Sequence, residues 1–281
     1  MIEINLDVLD DLKEGYLLVD RCNYGDFDPQ GIEMVPCVPS DLTNASDLMP
    51  CLVDAKKLSS DHRSLLVEIL RQQTQEEHPF AICGWLDADV GIEELAEHIA
   101  GFISGTGPDC KNLLWRYFDP RVFSTTVAIF PDAQREALLG PIKKWRFTWF
   151  HRLWLVSGGE EDVDYLENFD NAWPNMNQWQ TIFQSREINR VLGKFRFQKE
   201  SKYNSLLEYQ KIVIGYLFES VSKLNLDDQD DQVEFAYLCT KYGAAYREHP
   251  RLKAWWLPLS KGDISWSEFR RKTDKETIER F

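Results

Sequence analysis

The chain has 281 residues, 43% of them hydrophobic, with 32 Lys and Arg against 46 Asp and Glu and a formal net charge of -14. That composition suffices for one large domain or two modest ones with a real core, and it excludes disorder on a large scale. A pI near 4.9 opposes tight binding to nucleic acid or anionic lipid, because a phosphate binder needs a basic face that releases counterions.

Residues Met1 to Asp7 carry neither a positive n-region nor a continuous apolar stretch, so no secretory signal is expected. The longest apolar run, Ile212 to Phe218, is too short to span a bilayer, and a soluble cytoplasmic protein is the expectation. The six cysteines (22, 37, 51, 83, 110 and 239) stand singly, without Cys-x-x-Cys or close Cys/His pairing. In a reducing compartment they read as small buried hydrophobes rather than disulfide or zinc ligands.

In chain order, Asp7 to Leu12 predicts a short amphipathic helix stopped at Gly15, and Tyr16 to Asp20 a first core strand. Asn23 to Ser46 has turn composition and predicts a loop. Met49 to Asp54 predicts a strand at a sheet edge, because Pro50 removes a donor. Ser60 or Asp61 caps a helix that runs to about Gln75, with Leu65, Leu66, Ile69 and Leu70 on one face. Phe80 to Leu86 reads as a third strand. Ile92 to Ile103 reads as a second helix with Leu95, Ile99, Phe102 and Ile103 inward.

A turn at Gly105–Asp109 leads into Leu113 to Phe118, a large apolar run that predicts a buried strand ended by Asp119-Pro120. Arg116, Asp119 and Arg121 then form a charged cluster in which one carboxylate lies between two guanidiniums and locks the turn. Val122 to Phe130 fits helix or strand. Asp132 to Leu139, led by Pro131 and stopped by Gly140-Pro141, predicts a helix. Trp145 to Val156 is aromatic and predicts one or two closing strands.

At Ser157-Gly158-Gly159 the composition shifts, and Glu160 to Asp170 is strongly acidic. The expected division is 1–157 and 158–281. The first part is an α/β lobe, a mixed sheet with flanking helices, and the second an all-helical lobe. Asn175 to Leu192, Tyr203 to Leu224 and Gln232 to Arg247 carry helical spacing, with the acids at 227–231 near a helix start. Ser265-Trp266-Ser267-Glu268 predicts a capping box for a short final helix.

No catalytic, cofactor or metal constellation emerges. Gly105-x-Gly107 lacks the Gly-Lys-Ser/Thr of a phosphate loop and precedes a strand. Glu94 and His98, one helical turn apart, read as a surface pair without further ligands. His62 reads as an exposed helix-start residue, and His151 as a packed histidine with one hydrogen bond. The Asp119 cluster has no nucleophile or proton-transfer partner in sequence and reads as a structural ion-paired turn, with presentation of one arginine to a partner's carboxylate as the functional alternative. Of ten tryptophans, Trp85 and Trp115 are assigned to core strands. Trp145, Trp149, Trp173, Trp179, Trp255 and Trp256 are the candidate partner-binding anchors.

The run Trp115-Arg116-Tyr117-Phe118-Asp119-Pro120-Arg121-Val122 is followed by Leu139-Gly140-Pro141-Ile142 and a tryptophan-rich strand. It resembles the adaptor/chaperone domain of bacterial type VI secretion systems, long catalogued only as a domain of unknown function. The resemblance covers roughly Tyr16 to Val156 and leaves the last third of the chain unmatched. It implies a cargo adaptor that binds the N-terminal or transmembrane-like part of a toxic effector in the producing cell's cytoplasm. It implies further that the adaptor hands the effector to the spike protein and is not itself exported. With no nucleotide motif present, loading is expected to proceed without ATP. The effector's loading segment is expected to lie in a cleft between the two lobes. A hydrolase with His98 or His151 in that cleft, and an immunity protein that occludes a toxin, are the alternatives.

Overall fold

The computed structural model describes residues 1–23, 31–75, 80–159, 169–195 and 206–273. By contacts the chain divides into two compact units, Met1–Trp179 and Gln180–Phe281. The expected division lay at 157/158. Residues up to Trp179 fall in the first unit because Trp173 and Trp179 both pack edge-on against Trp115, at 5.6 and 5.3 Å between ring centroids.

The first unit is built on a seven-stranded sheet. Its strands are β1 (Ile2–Ile4), β2 (Tyr16–Val19), β3 (Val35–Pro36), β4 (Cys51–Asp54) and β5 (Ile82–Ala88). A short hairpin of β6 (Ser104–Thr106) and β7 (Asn112–Leu114) stands apart from it. The last two strands of the sheet are β8 (Ile142–Trp149) and β9 (Arg152–Ser157), and the strand order is β1-β9-β8-β5-β2-β4-β3. Every pairing is antiparallel, where a mixed sheet was expected.

Among the described residues four α-helices accompany the sheet: α1 (Ser60–Gln73), α2 (Ile92–Gly101), α3 (Pro120–Ile129) and α4 (Asp132–Leu139). The α/β character of this unit follows the sequence pattern. Ser59 caps α1 by accepting from the His62 amide at 3.2 Å, and Leu66 and Leu70 enter the core while Leu65 stays 42% exposed. Leu95, Ile99, Phe102 and Ile103 are fully buried. Strand β4 is flanked on both sides, so the edge belongs to β3, which carries Pro36.

The largest departure is at Leu113–Phe118. Only Asn112–Leu114 is strand, and Trp115 to Phe118 cross irregularly before α3. Asp119-Pro120 begins that helix rather than ending a strand. Asp119 is its N-cap and Pro120 sits at its first turn, where a missing N–H costs nothing. Strands β8 and β9 are joined through Phe150 and His151, both at positive φ (47° and 59°), the twist that suits a two-residue hairpin.

The second unit is helical throughout its described residues. Helix α5 (Met176–Phe183) carries the division, followed by α6 (Ser185–Gly193), α7 (Leu206–Ser222), α8 (Gln229–Tyr242), α9 (Ala244–Glu248), α10 (Pro250–Ser260) and α11 (Trp266–Lys272). Asp228 caps α8 through the Asp230 and Asp231 amides, and Ser265 caps α11 through the Glu268 amide. Phe235, Tyr246, Leu252, Trp266 and Phe269 form its core. The acidic run at 160–168 and the predicted helix start at 203–205 lie outside the described residues. Among the described residues no helix is long and apolar enough to cross a membrane.

Candidate functional site

The predicted charged cluster forms at one end of the central strands, with different partners from those expected. Strand β2 ends at Val19, opposite Cys51 on β4 and Ile82 on β5, and the next residue, Asp20, bonds its amide to the Ala81 carbonyl at 2.8 Å. Asp20 is 1% exposed. Its carboxylate accepts from Arg116 Nη2 at 2.5 Å, Asn23 Nδ2 at 2.7 Å and the Cys22 amide at 3.1 Å. A buried carboxylate is tolerable only with such donors.

Among the described residues, Asp119 pairs with Arg121. Arg121 Nε and Nη2 reach its two oxygens at 2.9 and 2.5 Å, and the Arg121 amide caps the same carboxylate at 2.9 Å. The expectation of one carboxylate between two guanidiniums is thus corrected to two separate pairs, Arg116 with Asp20 and Arg121 with Asp119. Helix geometry explains the change. As N-cap, Asp119 turns its oxygens toward the first turn of α3, where Arg121 sits, and Arg116 is left to reach across to the end of β2.

Aromatic rings support both guanidiniums, Phe118 under Arg116 at 5.2 Å and Phe80 under Arg121 at 6.0 Å. Burial works against the Arg116 charge, but Asp20 and then Asp119 outweigh it and its pKa is raised. For Arg121 the hydrogen bond it donates to Asp119 is the largest influence, and its pKa is raised too. Beneath the cluster the Cys83 thiol is pushed well above its ordinary range, first by burial and then by the charges of Asp119 and Asp20. It is a packing residue and not a nucleophile. The side chains of Arg116 and Arg121 remain 37% and 45% exposed. The arrangement holds two guanidiniums at the surface above buried carboxylates.

Asp20 was missed from the sequence. The available signal was an acid directly after a fully apolar strand, with Asn23 three residues on, a pattern that ties a turn through its own side chains.

The remaining motif residues are structural. Trp115 (2% exposed) packs on Tyr117, Phe130, Trp173 and Trp179. Tyr117 is fully buried and donates to the Ile99 carbonyl at 3.2 Å. Gly140 ends α4 at φ +52°, and a Cβ there would lie 2.3 Å from His98 Cε1. Pro141, buried, leads into β8.

The tryptophan candidates separate by burial. Trp145, Trp149 and Trp179 are at most 2% exposed, so their indoles are core and not surface anchors. Trp145 stacks on Phe123 at 4.2 Å and covers Gly84, where a Cβ would meet its Nε1 at 2.5 Å. Trp173 is half-buried, seated on Gly105 and donating to the Thr106 carbonyl at 2.9 Å. Trp256 is half-buried against Phe269 and Arg247, and Trp255 is half-buried under Lys272.

The histidines also sort by geometry. His98 was expected on the helix surface beside Glu94, but it is buried: Glu94 is exposed while His98 is 7% exposed, with its Nε2 at 3.1 Å from the Leu138 carbonyl. Burial holds the His98 pKa down at about 4. His62 is half-buried at the start of α1, and His151 is exposed in the β8–β9 turn with Nδ1 at 2.8 Å from the Thr74 carbonyl. Among the described residues no group of three or more His, Cys, Asp or Glu is placed to hold a metal ion.

Residues 16–137 match the family model described as a domain of unknown function, DUF4123. That span contains β2 through most of α4, and with them both ion pairs of the cluster. No curated protein and no solved structure matches the chain.

Proposed function

We propose that this chain is an adaptor of bacterial type VI secretion, which holds a secreted effector in the producing cell's cytoplasm and promotes its loading onto the spike protein. The observation that carries the reading is the match over residues 16–137 to a family associated with type VI secretion effector adaptors. Loading proceeds without nucleotide hydrolysis, set by the relative affinities of effector for adaptor and spike. The chain acts as a binding protein and not as an enzyme.

Within that reading the cluster at the sheet end has two tasks. Asp20 and Asp119 pin the crossing chain to the strands, and the exposed edges of Arg116 and Arg121 face a partner's carboxylate. Guanidiniums that are already oriented lose little freedom when they bind. Trp173, Trp255 and Trp256, half-buried, are the candidate tryptophans left to serve as anchors.

The test is affinity copurification of the tagged full chain from cells that fire the apparatus, with the bound polypeptides identified. An effector encoded by the same cell, retained through a segment outside its toxic domain, is the expected capture. Arg121→Lys, which keeps a cation beside the buried Asp119 but loses the guanidinium fork, should weaken its retention while the melting temperature of the adaptor stays within a few degrees of the parent. Retention of a toxic domain alone would contradict the adaptor reading and point to inhibition.

A further inference from the structure

The charged edge of the sheet extends one strand beyond the two ion pairs already described. In the strand order β5-β2-β4, Arg121 stands over Phe80 just ahead of β5, Arg116 holds Asp20 at the end of β2, and Arg21 faces Asp47 just ahead of β4. Three guanidiniums therefore follow one another along this edge, on a unit that holds 14 Lys and Arg against 31 Asp and Glu.

The three are held differently. Arg116 and Arg121 grip carboxylates that are 1% and 6% exposed, so those partners belong to the fold. Arg21 meets Asp47 at 3.5 Å, the long limit of a hydrogen bond, and the Asp47 side chain is 90% exposed. Among the described residues the Asp47 carboxylate has no other hydrogen bond. Such a pair contributes little, because water and the freedom of both side chains compete with it. Beside it Leu48 is 61% exposed. The Leu48 carbonyl accepts from the Cys22 thiol at 3.8 Å, which ties the Asp47–Leu48 corner to the end of β2. Among the described residues Arg116 spends only Nη2, on Asp20, and its side chain stays 37% exposed.

We infer, resting on the adaptor reading for the partner's identity, that this edge docks an acidic, apolar-flanked segment of the effector, and that Asp47 holds the place on Arg21 which a carboxylate of that segment takes. Charge selects this chemistry. An acidic segment gains the open donors of Arg116 and those of Arg21, displaces one loosely held acid, and covers Leu48 with its apolar neighbours. A basic segment would meet guanidiniums here, with Asp20 and Asp119 buried out of its reach. Asp47 thereby lowers the affinity of the edge for every acidic ligand, since the binding-competent state is the one in which it has let go.

Fluorescence anisotropy of the purified full chain with a labelled peptide of alternating Glu and Leu tests this, beside a control peptide of alternating Gln and Leu. No effector is present, so failure here is separate from failure of the adaptor reading, which stands on copurification and secretion. The Glu peptide should bind saturably and the Gln peptide should not. Asp47→Ala, at a position open to solvent, should leave the melting curve unchanged and tighten the Glu peptide about two- to fivefold. Arg21→Ala should also keep the melting curve and weaken it at least about twofold. Arg116→Lys, which keeps a cation on Asp20, should weaken it as well. A structural role for Asp47 would not produce a gain in affinity. No saturable binding, equal binding of the two peptides, unchanged or weaker binding in Asp47→Ala, or indifference to Arg21→Ala would overturn the inference.

Discussion

At the scale of single residues, burial depresses the His98 imidazole to about 4, opposed by the Leu138 and Leu139 carbonyls. The unfolded chain binds that proton near 6.5, so stability is fully present above pH 6.5 and is lost as the pH falls from there toward 4. The loss attributable to His98 amounts to roughly 3 kcal/mol. His98→Gln should flatten the denaturation midpoint over that window, whatever it does to stability at neutral pH. An unchanged slope between pH 6.5 and 4 would place the titration elsewhere. Thiol chemistry gives a second residue-scale expectation. Cys22 and Cys110 are exposed and the other four cysteines are buried, with Cys239 raised to about 12 by burial. Native alkylation followed by mass spectrometry should modify Cys22 and Cys110 rapidly and the remaining four only on unfolding.

At the scale of elements, the cluster and its neighbours distinguish packing from capping. Gly84→Ala drives a Cβ to 2.5 Å from Trp145 Nε1, and that indole is fully buried between β5 and α3. A cost of about 1–3 kcal/mol is expected in chemical denaturation. Asp119→Ala removes the cap of α3 and should cost about 1–2 kcal/mol. Asp20→Ala should cost more, about 2–3 kcal/mol, because it leaves the amides and Arg116 without their acceptor. Equal costs for the two would mean that Asp20 is not the anchor described.

The same elements show what was legible in the sequence. The helices α1, α2, α4, α8 and α11 followed from cap residues and periodicity, since both signals are local. The stretch Leu113–Phe118 misled because aromatic, β-favouring residues bury equally well in an irregular crossing, and Asp-Pro starts a helix as readily as it ends a strand. The pairing of Arg116 with Asp20, separated by 96 residues, has no local signal at all. Trp145 and Trp149 looked like anchors because an aromatic-rich hairpin does not reveal in one dimension which face another element covers. The half-buried state of Trp173 and Trp255 is likewise a tertiary fact.

At the scale of the whole molecule, charge divides as the compact units do. Residues 1–179 hold 14 Lys and Arg against 31 Asp and Glu, and residues 180–281 hold 18 against 15. The first unit therefore carries all of the net negative charge, and among its described residues ten cations are in ion pairs with its own acids. On the adaptor reading proposed above, a basic effector segment is drawn to that surface and the Arg116–Arg121 edge takes carboxylates. Added salt should accordingly slow effector association more than it speeds dissociation.

The adaptor claim is tested most directly by measuring secreted effectors from cells that lack this chain while their apparatus still fires. The account predicts that one effector disappears from the secreted fraction, remains intact or is degraded inside the cell, and returns when the chain is restored, with the other secreted proteins unaffected. Unchanged export of every effector in the deletion strain would contradict it.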